Sequence, residues 1–239
     1  MENPVISRIV DLQKEAHLSS EHATYSGVAW KELMLLALVV ASASVSVVTG
    51  YATPIVTIVA CVATIIMAII IGFFPKAASF LSPLFAIFEG MMIAFLSMTA
   101  ETMFPNIVLQ AVALTIGVAV ASAFIFSKGL VKVDSRFVQI VSVALFGLMF
   151  CYLGEFILGY FFHVDFGFLQ TGIVGLVIDI AIIGLATACL FIDYHEIKET
   201  VEMGLPKEYE WLCAFSLLVT LVWLYVRILE LLMRLRSDD

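Results

Sequence analysis

Charge is scarce in this chain, and long stretches have none. Of 239 residues only 13% are Asp, Glu, Lys or Arg, against 62% hydrophobic. The balance is acidic, net -8, which argues against nucleic acid and other polyanions as partners and is compatible with cations. Most of the acid sits where water reaches it, in the tails and loops: Glu2, Asp11, Glu15, Glu21, Glu199, Glu202, Glu208, Asp238 and Asp239. Cysteine is also sparse. Cys61, Cys151, Cys189 and Cys213 lie in or beside apolar runs with no CxxC spacing, so they read as small buried hydrophobes and not as a metal or redox framework.

Catalytic signatures are missing too. There is no HExxH, no GxSxG and no cluster of metal-ligand spacing. An intramembrane aspartyl protease needs two facing aspartates, but Asp179 and Asp193 lie 14 residues apart on one apolar run and cannot face each other. No span holds the lysine that a retinal Schiff base requires. The chain reads as a non-enzyme with no cofactor beyond a transient calcium ion or proton. Its start, Met1-Glu2-Asn3-Pro4, stays polar to Ser26 and lacks the basic-then-apolar layout of a cleaved signal peptide. The first span is expected to act as its own insertion signal.

What is present is a series of apolar runs of about 20 residues, long enough to cross about 30 Å of hydrocarbon. The pattern predicts an all-α membrane protein with seven spans: about 33–48, 55–74, 83–98, 105–126, 138–162, 168–192 and 211–232. Residues 1–30 read as a polar cytoplasmic tail, in which Ile6, Ile9, Val10 and Leu12 suit either a short surface helix or an ordinary solvated segment. Residues 31–239 form the membrane domain. Pro83 and Pro105 are expected to open the third and fourth spans, where a missing N–H costs nothing. Lys and Arg collect in the tail and in alternate loops (Lys76; Lys128, Lys132 and Arg136; Lys198 and Lys207), so the positive-inside rule puts the N-terminus in the cytoplasm. Arg234 and Arg236 dissent from this bias.

Charges inside spans are expensive and mark functional sites by default. Asp193 falls where the sixth run meets its loop; a helix C-terminus disfavours negative charge, so it is expected to have a partner. Glu89 reads either as a protonated carboxyl bonded to a neighbouring carbonyl or as a cation or proton site facing Asp193. Asp179, near the midplane, is a relay group or a neutral acid bonded within the bundle. Glu155 and Arg227 are expected to pair as an ion pair, a clasp between two helices. His195 is a solvated interfacial residue or, if it touches Asp193, an auxiliary pH sensor.

At these residues the sequence resembles the Bax inhibitor-1 family, also called the transmembrane Bax inhibitor motif family, and its bacterial branch in particular. Ser82-Pro83-Leu84-Phe85-Ala86-Ile87-Phe88-Glu89-Gly90 is similar to its third span, Gln110-Ala111 with Thr115 to its fourth, and Phe191-Ile192-Asp193-Tyr194-His195-Glu196-Ile197 to the segment after its sixth. Glu210-Trp211 through Tyr225 resembles its ending. The resemblance implies a seven-helix bundle around a central last helix, in a bacterial plasma membrane. It also implies a pH-sensitive calcium leak gated by two aspartates, one after the sixth span and one in the seventh. The first matches Asp193, whereas Thr220 stands where the second would be. A like-charged partner must then come from Glu89 or another acid. Two readings remain: a cation leak or transporter gated near Asp193, Glu89, Thr220 and Asp179, or a non-conducting regulator that binds a membrane protease or a stress or cell-death factor through its tail and the Lys198–Lys207 loop.

Overall fold

A computed structural model describes residues 21–162 and 172–237. The apolar positions expected to form a surface helix in the tail lie outside them. Among the described residues seven helices are long and apolar enough to cross a membrane: α1 (Tyr25–Val48), α2 (Pro54–Phe73), α3 (Ala78–Met103), α4 (Ile107–Ser127), α5 (Ser135–Phe162), α6 (Gly172–Glu202) and α7 (Tyr209–Ser237). The protein is therefore a multi-pass integral membrane protein. The shortest helix, 20 residues, is about 30 Å long at about 1.5 Å per residue, so each of the seven can span.

The boundaries follow capping chemistry more closely than hydropathy. Thr24 caps α1 by accepting from Gly27 N–H at 3.0 Å, which starts that helix eight residues before its apolar run. Thr53 caps α2, with Pro54 in its first turn. Pro83 does not open a span: α3 begins at Ala78, after a 3₁₀ turn over Pro75–Ala77, and Pro83 lies inside it. It cannot donate to the Ser79 carbonyl, a local weakness that helices in lipid tolerate. Pro105 stays in the turn before α4, next to Asn106 in the left-handed region at φ 65°. α6 continues ten residues past its apolar run, to Glu202. Asp193 is thus inside a helix, and the dipole argument for its partner falls away.

The chain divides into two compact units, one comprising Met1–Thr102 with Asp193–Val219, the other Met103–Ile192 with Thr220–Asp239. In the first, α1 and α3 touch closely. Ser42 Oγ donates to the Ile87 carbonyl at 2.6 Å, and a methyl group on Gly90 would collide with the Val39 carbonyl and the Ser42 side chain. Without the pull of water, such small-residue contacts hold membrane helices together. Phe85 of α3 packs edge-on against Phe215 of α7 with centroids 4.9 Å apart. Val28, Ile197 and Cys213 form a small apolar core, with Tyr194 and Leu217 against it. In the second unit Arg236 donates to the Pro105 carbonyl at 3.0 Å and to Gln110 Oε1 at 3.1 Å. The two arginines that dissent from the loop-charge bias are accordingly held by protein groups, since Arg234 also has a partner, Asp179.

Candidate functional site

The buried face of α1 repeats at helical spacing: Val28, Glu32, Leu35 and Val39. A carboxyl occupies a core position. Glu32 is 6% exposed, and neither of its oxygens has a hydrogen-bond partner. Its charge interacts with that of Asp193 on α6, itself 5% exposed. Asp193 Oδ1 accepts from the Ser216 hydroxyl of α7 at 2.6 Å, and the exposed Glu196, one turn on, also feels the Asp193 charge. Three helices therefore bring two acids and a hydroxyl together.

Ser82 of α3 is a further buried polar group in this unit. It is fully buried, and its hydroxyl has no hydrogen-bond partner. Gly90 lies against Val39, and seven residues back along α1 from Val39 is Glu32, while eight back along α3 from Gly90 is Ser82. Ser82 is thus level with Glu32 on the α1–α3 contact, since one residue of difference is about 1.5 Å. Buried polar atoms without partners are rare, and a bound water or ion is one arrangement that satisfies them.

Glu89 is buried on α3 two turns beyond Ser82; the charges of Glu32 and Glu196 act on that of Asp193. His195 pairs with Glu199 at 3.4 Å on the more exposed side of α6. Thr220 is buried on α7 one turn after Ser216. Asp179 belongs to the second unit, where Arg234 Nε approaches its Oδ2 at 3.1 Å. Arg227 Nη1 donates to Glu230 Oε2 at 2.7 Å and its guanidinium lies 5.2 Å from the centroid of the Tyr152 ring; Glu155 lines the same cavity.

Glu32 is the residue that hydropathy conceals. It follows Trp30-Lys31 and precedes the apolar run, so it looks like an interfacial charge. The Val28, Leu35, Val39 spacing around it is the signal that marks it as buried.

Beside the acid pair lies a clasp. Glu210, fully buried at the start of α7, accepts from Thr24 N–H at 2.9 Å and Thr24 Oγ1 at 3.1 Å, and is bound by Lys31 Nζ. Gly27 leaves room for it, since a methyl there would land on the Glu210 carboxyl. Residues 21–23 continue as a strap along the turn before α7: Ala23 N–H donates to the Leu205 carbonyl at 2.8 Å and His22 Nδ1 to the Gly204 carbonyl at 2.7 Å.

These features define a multi-pass helical membrane protein with acid groups packed into one unit of its span region. Its family follows from the whole chain: the model of the family described as Bax inhibitor 1 like matches residues 3–237, and the protein belongs to that family. Members of this family are not catalytic. No curated protein and no solved structure matches the chain.

Proposed function

We propose that this protein is a pH-sensitive cation leak in which Glu32 and Asp193 together form the gate. The observation that carries the reading is the meeting of two buried carboxyls from different helices, with the Ser216 hydroxyl on one of them. Two negative charges in an apolar setting repel unless a proton or a cation lies between them. A shared proton lets α1 and α6 stay together; its loss draws in a cation or loosens the contact, and either outcome changes the open fraction. Glu32 supplies the second acid that Thr220 does not. Glu196 from α6 adds negative charge nearby, Glu89 offers a further buried acid on α3, and the Glu210–Lys31 pair is internally neutral.

Calcium is the expected permeant ion from the family resemblance, though a hard cation held tightly wants six or more oxygens. Among the described residues no group of three or more His, Cys, Asp or Glu converges. Two carboxyls and a hydroxyl suit an ion in passage better than one in storage. The expected orientation places the N-terminus, the strap and the gate on the cytoplasmic side.

The test is calcium flux into vesicles containing the purified protein as pH is stepped from mildly acidic to mildly alkaline. Wild type responds to pH, whereas Asp193→Asn and Glu32→Gln each flatten the response. Flux indifferent to pH and to both substitutions sinks the proposal. A second reading, a non-conducting regulator, is favoured by the strap, which holds the turn before α7 and with it the exposed Lys207 and Glu208 in a defined arrangement. Crosslinking in native membranes that recovers only self-contacts counts against it.

A further inference from the structure

The second unit contains a cavity of about 930 Å³ that the acid pair does not explain. Its volume lies in the range of small-molecule sites, about 300–1,000 Å³. Five acidic or basic side chains line it: Glu155 from α5, Asp179 from α6, and Arg227, Glu230 and Arg234 from one face of α7. Much of the remaining wall is apolar, as at Leu148, Ile178 and Ile182. Placing so many charges on spans is costly, and such groups normally mark a path or a site.

The charges themselves select the ligand. A simple anion would enter a cavity whose carboxyls outnumber its guanidinium groups. A metal cation would meet carboxyls already engaged by arginine, Asp179 by Arg234 and Glu230 by Arg227, and no metal-ligand cluster exists there among the described residues. Yet Arg227 Nε and Arg234 Nη1 are buried donors with no acceptor, and Asp179 Oδ2, though close to Arg234, is a buried acceptor that receives no hydrogen bond. Both unused donors and unused acceptors therefore surround one space. A ligand carrying both signs answers both without adding net charge.

We propose that this cavity binds a compact zwitterion, an ammonium and an oxyanion joined by a short chain with an apolar remainder. The oxyanion faces the arginines of α7, the ammonium faces the carboxyls, and the apolar part lies on the aliphatic wall. Such chemistry comes from two sources, an apolar free amino acid or the headgroup of phosphatidylethanolamine.

Cys151 lines the cavity and is exposed, so it reports occupancy without any transport assay. In full-length protein with Cys61, Cys189 and Cys213 replaced by alanine, the rate of Cys151 alkylation by a small maleimide is measured in two settings. One is maltoside micelles with added L-leucine, with sodium acetate and calcium chloride as comparisons. The other is bilayer discs of phosphatidylglycerol with and without phosphatidylethanolamine. In the productive setting alkylation slows about tenfold at ten times the half-protecting concentration. Protection in the first setting identifies a soluble zwitterion, in the second a lipid headgroup, and either supports the site. Arg234→Gln abolishes protection. So does Gly154→Leu, which enters the cavity from a lining position where an added Cβ meets nothing within 4 Å and so keeps the test valid if the arginine variant misfolds. No protection in either setting, equal protection by acetate or calcium, or protection that survives Gly154→Leu overturns the proposal.

Discussion

In the second unit the interior charges are matched by opposite ones: Arg234 lies beside Asp179, and Arg227 beside Glu230. In the first unit Glu210 is matched in the same way by Lys31, but the next residue along, Glu32, is acted on by the charge of another acid. Opposite pairs hold helices together, and losing one partner strands the other in an apolar setting. A like pair is a standing cost, so its presence in a packed interior points to use and not to stability.

The contrast breaks most sharply at the clasp. Glu210→Ala strands Lys31 and is expected to cost about 3–5 kcal/mol, read as unfolding in detergent against rising denaturant. Combining it with Lys31→Met recovers much of the loss. Recovery of nothing would mean the clasp acts through Thr24 and the packing at Gly27.

Arg234→Met in the second unit has the same sign and a smaller size, about 2 kcal/mol, because that pair is partly exposed. The same unfolding assay reads it, and a loss as large as that of Glu210→Ala would erase the ranking by burial. Glu32→Gln goes the other way. Removing one of two like acids is expected to leave stability within about 1 kcal/mol of wild type or raise it, while flattening the pH response of flux. A large destabilisation would make Glu32 a structural group and end its role in the gate.

The smallest effect belongs to the strap. Glu21 and Lys207 pair at 2.8 Å in full contact with water. The hydrogen bond and charge of Lys207 hold the Glu21 carboxyl below its ordinary pKa, and Glu21 holds the Lys207 amine above its own. A lowered acid contributes stability above its unfolded pKa and loses it as pH falls through the folded one; a raised base contributes below its unfolded pKa and loses it as pH rises through the folded one. Lys207→Gln is therefore expected to shift the melting temperature only slightly and evenly from about pH 5 to 9, with the difference closing in stronger acid or alkali.

The spans, their number and a carboxyl on an apolar run at Asp193 are legible in the sequence because hydropathy and the cost of a buried charge act along one helix at a time. Asp193 stands out because its neighbours are apolar. Glu32 does not stand out, because the polar residues before it and the apolar run after it make a plausible membrane edge; α1, capped at Thr24, begins before that run and carries Glu32 on its buried face. Glu155 and Arg227 are legible as charges in spans, but the bond from Arg227 to Glu230, three residues along α7, is not. The continuation of α6 through Asp193 to Glu202 is likewise hidden, since the residues after Ile192 are polar and hydropathy ends the run there.

By itself, the sequence determined seven apolar helices, a membrane location and a family, because a bilayer demands long hydrocarbon-compatible segments whatever surrounds them. Only the tertiary structure decided which acid meets Asp193 and which base meets Asp179. Those partners lie on other helices, up to 161 residues away in the chain for Glu32 and Asp193, and the pairing depends on rotation and register between helices, which no single-helix pattern encodes.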